Sequence, residues 1–178
     1  MTEASRGSPW LLFAAVTVML LQQGLIYLAT LIFPIAVPAL ATELGISTAY
    51  AGLYTALVFL ASSAGQLSCG GLITRFGALR VSQVALLVVG SGLAAAASGE
   101  IWMLALSAVL LGTGNSVSTP ASSHLLARFS PRRYAPLIFS VKQTGTPLGA
   151  VVAGAAVPVL ILDWGWRSPF VVFAGVCL

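Results

Sequence analysis

Charged side chains are rare in this sequence, and long runs carry none at all. Gly7 to Thr42 is 36 residues without an Asp, Glu, Lys or Arg, Leu44 to Thr74 is 31, Val81 to Gly99 is 19 and Ile101 to Ala127 is 27. Gln143 to Leu162 adds 20, parted from Tyr134 to Val141 only by Lys142, and Ser168 to Leu178 is a last run of 11. One α-helical crossing of a bilayer needs about 20 apolar residues, whereas strands seldom exceed about ten. The runs predict five membrane helices, near Pro9 to Phe33, Tyr50 to Leu67, Val81 to Ser98, Ile101 to Leu126 and Ala135 to Leu162. A sixth begins at Ser168. The predicted fold class is an all-α polytopic membrane bundle.

Composition excludes the alternatives. Of 178 residues, 58% are hydrophobic and 7% charged, against about 25% charged in a soluble domain. So few charges cannot cover a globule of this size in water, which rules out a soluble enzyme, a nucleic-acid-binding module and a disordered chain. A net charge of +4 would hint at nucleic acid in a polar protein, but here the charges sort by loop. With the N-terminus inside, the inner loops hold Arg6, then Arg75 and Arg80, then Arg128, Arg132 and Arg133. The outer loops hold Glu43, Glu100, Asp163 and Arg167. That asymmetry satisfies the positive-inside rule and predicts a multi-pass protein of the cell membrane with a cytoplasmic N-terminus.

Ala39-Leu40-Ala41 has the look of a signal-peptidase site, but the preceding apolar run far exceeds a signal core of about 7–15 residues, so a retained first helix is expected. The last run is too short to span: eleven residues rise about 16 Å, half the hydrocarbon core. The expectation is a chain truncated within its sixth helix. Cys69 and Cys177 fall near opposite ends of the bundle and should not bridge. One His and two distant Cys cannot close a metal site, so no metal and no cofactor is expected.

Gly70-Gly-Leu72-Ile-Thr74-Arg75-Phe76-Gly77-Ala-Leu-Arg80 joins the second and third helices. Gly77 permits a tight turn, and the two arginines hold the loop inside. The stretch resembles the signature loop of the major facilitator superfamily, glycine-x-leucine-x-acid-arginine-phenylalanine-glycine followed by three basic residues. Gly70, Leu72, Arg75, Phe76, Gly77 and Arg80 match; Thr74 stands where the acid would be. The resemblance implies a latch against a second half of the transporter, weakened by the missing acid and reliant on Arg75. It also implies that this chain, 1–178, is the N-terminal membrane half of a carrier.

In the fifth helix, Lys142-Gln143-Thr144-Gly145-Thr146-Pro147-Leu148-Gly149 resembles a stretch found in some permeases of the same superfamily. At 100° per residue Lys142, Gly145, Thr146, Gly149 and Ala153 share a face. Small residues so spaced let helices approach closely, and Pro147 can bend the helix. This predicts a bendable helix facing the other half, with close packing inside the bundle as the plain alternative. Lys142 is the one charge well inside an apolar span, about 12 Å from the inner end. A charge there is expensive and marks a pathway or a paired site, unless it snorkels to the surface. The sharper expectation is that it attracts an anionic substrate group.

Two polar stripes accompany it. Gln23, Tyr27 and Thr30 share an arc of the first helix with Pro34; Asn115, Ser116, Thr119 and Ser123 share one on the fourth with Gly112. Lipid does not reward such stripes, so they predict a polar cavity, with Gln23, Tyr27, Thr30, Asn115, Ser116, Thr119, Lys142 and Thr146 as its lining. Interhelical hydrogen bonds are the plain alternative. In the superfamily, helices one and four line the substrate path. His124 lies off the stripe and reads as an interfacial residue. Arg75-Phe-Gly77 and Asp163-Trp-Gly165-Trp-Arg167 place aromatic-glycine turns with arginines on opposite membrane faces, as in a three-plus-three inverted repeat.

These observations predict part of a secondary active carrier working by alternating access on a small solute, an organic or inorganic anion. Its partners would be the lipid bilayer, the solute and a second half of the transporter, with no nucleic acid. The alternatives are a half-size carrier that dimerises and a non-transporting membrane assembly protein. An intramembrane serine protease is disfavoured, because Ser123 and His124 are neighbours on one helix and no glycine-x-serine-glycine occurs.

Overall fold

A computed structural model describes residues 9–45, 47–131 and 133–178. Arg6 and Arg132, two of the basic residues assigned above to the inner side, lie outside the described residues. Every regular element described is helical: α1 Pro9–Leu44, α2 Tyr50–Phe76, α3 Ala78–Ala96, α4 Ile101–Phe129, α5 Ala135–Gln143, α6 Gly145–Trp164 and α7 Ser168–Cys177. Five spans are long and apolar enough to cross a membrane, α5 and α6 together forming the fifth. The chain is a multi-pass membrane protein.

Two of the helices outrun the sequence-based limits through prolines and glycines. α1 continues through Pro34 and Pro38, eleven residues past Phe33. Hydrocarbon offers backbone groups no water to bond, so helix persists through proline there. Ala39 and Ala41 are therefore helical. α2 likewise continues through Gly70 and Gly71 to Phe76, which shrinks the loop before α3 to Gly77 alone.

Two glycine turns share one geometry. Gly77 (φ +84°, ψ 147°) closes α2, its N–H donating to the Ile73 carbonyl at 2.9 Å. Gly165 (φ +81°, ψ 169°) closes α6 in the same way on Ile161, also at 2.9 Å. Residues with a Cβ rarely adopt positive φ. Arg75 stacks on Phe76 at 5.2 Å at the first turn, and Arg167 on Trp166 at 4.8 Å at the second. The faint repeat in the sequence thus has a counterpart in backbone and side-chain geometry.

α1 touches every other helix and forms the spine of the bundle. α4 lies between α2 and α3, and α6 packs along α1. Bare backbone makes these approaches close. A Cβ on Gly112 would strike the Val58 carbonyl of α2, and one on Gly114 would strike Val89 of α3. Most of α2 and of the α5–α6 span is uncovered, with Leu60, Leu67, Leu148 and Val151 exposed.

Candidate functional site

Polar side chains converge where α1, α4 and the broken fifth span meet. The break lies at Thr144, between α5 and α6. Pro147 has no N–H to give the Gln143 carbonyl, and the Thr144 N–H turns back to the Val141 carbonyl at 3.2 Å. Gln23 of α1 bridges the break. Its Nε2 donates to Thr146 Oγ1 at 2.8 Å on one side and to Gln143 Oε1 at 3.2 Å on the other. Gln23 is 5% exposed, and its Oε1 has no hydrogen-bond partner among the described residues.

Lys142 lies one residue before Gln143 and is only 1% exposed. Its Nζ donates to Ser123 Oγ of α4 at 3.5 Å, a weak bond. Its head does not snorkel in this conformation. The described carboxylates, Glu43, Glu100 and Asp163, all sit at the opposite end of the bundle. Asp163 is about 30 Å further along the same span. A buried ammonium with one hydroxyl neighbour retains unused donor capacity, and an anion is the natural partner for it.

The small-residue face of the fifth span is turned inward. Gly145, Gly149, Ala153 and Val157 are buried, and a Cβ on Gly145 or Gly149 would meet the backbone of Leu20 or Gly24 in α1. That face packs on α1; Leu148, Val151 and Val159 occupy the uncovered face. Of the two sequence-based readings, a face turned to a second half and close packing inside the bundle, the glycine contact with the α1 backbone fits the second.

The α4 stripe divides along its length. Asn115 Nδ2 donates to Ser62 Oγ of α2 at 3.3 Å. Ser116 is buried, bonds the Thr113 carbonyl of its own helix at 2.6 Å and fills the space opposite Gly65. These two residues face α2. Thr119 is exposed, and Ser123, one turn on, meets Lys142. On α1, Tyr27 and Thr30 are half-buried, with the Thr30 hydroxyl on the Tyr27 carbonyl at 2.6 Å. Gln143, Ser62 and Gly24 are partners that periodicity alone does not single out, although Gln143 sits inside the permease-like stretch.

The loop motif is exposed. Gly70, Leu72, Arg75, Phe76, Gly77 and Arg80 are all accessible. The Thr74 hydroxyl bonds the Gly70 and Gly71 carbonyls at 3.1 and 3.0 Å, so it is occupied within its own helix.

Residues 19–178 match the family described as Major Facilitator Superfamily. A 4-hydroxybenzoate transporter, PcaK of Pseudomonas putida, is 31% identical over 136 residues, 76% of this chain and 30% of the relative. The "Probable sulfoacetate transporter SauU" of Cupriavidus necator is 24% identical over 90% of this chain and 38% of its own length. The "Probable anion transporter 6, chloroplastic" of Arabidopsis thaliana is 28% identical over 78% of this chain and 27% of its own. The chain thus spans about a third of the length of the relatives it matches.

Proposed function

Because this chain belongs to the major facilitator superfamily, a family of membrane carriers rather than enzymes, we propose that it supplies the N-terminal half of a secondary carrier for small organic anions. The carrier works by alternating access, with the substrate held near the midplane between this half and a second one. It resides in the cell membrane with its N-terminus in the cytoplasm, as the sorting of the arginines favours.

One observation carries the choice of substrate. Lys142 is buried in an apolar span, has a hydroxyl as its hydrogen-bond partner, and lies far from the described acids. A cation is costly there unless function needs it. The relatives named for 4-hydroxybenzoate, sulfoacetate and anions support the same chemistry. When the half-molecules part, the ammonium exchanges Ser123 for a carboxylate or sulfonate. Gln23 and Thr146 offer further polar atoms beside it.

Uptake by the intact carrier in proteoliposomes tests this reading. Removing a charge-assisted bond costs about 1.5–3 kcal/mol, so Lys142→Gln should weaken apparent affinity for an aromatic carboxylate about 10- to 100-fold, and Lys142→Arg should retain part of it. Unchanged affinity in Lys142→Gln would overturn the proposal.

A further inference from the structure

A cavity of about 420 Å³ opens between α2 and α3 over α4, away from the Lys142 cluster. Its walls are apolar: Leu72 and Phe76 on α2, Val84 and Val88 on α3, with Gly114 in the floor. Arg80 is the one charged residue in its lining and sits in the first turn of α3. From Arg80 to Val88 the groove runs about 12 Å along α3, close to the half-thickness of a hydrocarbon core of about 30 Å. It therefore begins at a cation at the membrane surface and ends near the midplane.

Among the described residues the mouth is positive without compensation. Arg75 stacks on Phe76 beside it at 5.2 Å. Thr74 is uncharged and bonded within its own helix, and the described carboxylates belong to the other end of the bundle. An arginine presents a fork of donors suited to a phosphate. We propose that this groove binds one acyl chain of an anionic phospholipid from the inner leaflet, with the lipid phosphate on Arg80 and assisted by Arg75. Apolar walls alone would fit any lipid; the two arginines make the site selective for negative headgroups. The lipid would brace α2 against α3, which touch one another far less than either touches α4.

Photo-crosslinking tests the site directly. The intact carrier is reconstituted with a trace of phosphatidylglycerol bearing a diazirine on its acyl chain, or with phosphatidylcholine bearing the same chain. Adducts are then mapped by mass spectrometry. The phosphatidylglycerol probe should label the Leu72–Val88 stretch several-fold more than the phosphatidylcholine probe. Arg80→Gln should lower that labelling about fivefold, the worth of one basic residue at an anionic surface, while Arg80→Lys keeps most of it. Val84→Trp should fill the groove and remove its adducts while labelling of the exposed Val151 on α6 persists, a control that does not depend on any arginine variant folding. Equal labelling by the two probes, labelling indifferent to Arg80→Gln, or crosslinks from these walls to another protein segment in place of lipid would each overturn the proposal.

Discussion

At the residue scale, Gln23 and Lys142 concentrate the energetics. Gln23 ties α1 to both sides of the Thr144 break. Replacing it with leucine removes the bonds to the half-buried Thr146 hydroxyl and to the exposed Gln143 side-chain amide oxygen, at a cost of about 0.5–1.5 kcal/mol. We expect Gln23→Leu to lower the melting temperature of the intact protein, and Gln23→Leu with Thr146→Val to cost less than the sum of the single changes. Strict additivity would show that the bond contributes nothing. Lys142 was legible from the sequence because it breaks an apolar run. Its neighbour Ser123 was legible only as one member of a stripe, since a helical arc does not say which helix it faces. Asn115 and Ser116 show the same ambiguity: they share the arc of Ser123, yet turn to Ser62 and Gly65 of α2. A polar stripe marks contact with something polar or small, and the partner becomes known only through packing.

At the element scale, the fifth span combines a break with a tight seam. Pro147 and the turn at Thr144 produce the break; Gly145 and Gly149 produce the seam against α1. A side chain at Gly149 would strike the Gly24 backbone, whereas one at Gly154 meets nothing within 4 Å. Gly149→Val should therefore destabilise by about 1–3 kcal/mol, and Gly154→Ala should leave thermal stability unchanged or slightly raised. Equal effects at the two positions would contradict the packing of α6 on α1. The glycine spacing was visible in the sequence; its direction was not, because a face of small residues serves an inner neighbour and an outer one alike. α1 and α2 run past their sequence-based limits, through Pro34 and Pro38 and through Gly70 and Gly71, since backbone groups in hydrocarbon have no water to bond instead.

At the scale of the whole molecule, sparse and sorted charges determine how the bundle sits in the bilayer. The ends of α2 and α4 carry arginines, while the ends of α1 and α6 carry Glu43 and Asp163. In intact cells, with Cys69 and Cys177 replaced, cysteine at Leu79 should resist a membrane-impermeant thiol reagent, and cysteine at Ser98 should react. The reverse pattern would invert the proposed topology. Helix number and the family were legible because they follow from run length and motif. The groove between α2 and α3 was not, since it depends on how two helices splay over a third.

Substrate protection tests the placement of the anion beside Lys142 most directly. In the intact carrier lacking its native cysteines, Thr146→Cys is labelled by a thiol reagent with and without a saturating aromatic carboxylate. The anion should slow labelling several-fold at concentrations that match its transport affinity, and Lys142→Gln in the same background should raise the protecting concentration about 10- to 100-fold. Labelling at one unchanged rate, with the anion transported all the while, would place the substrate elsewhere.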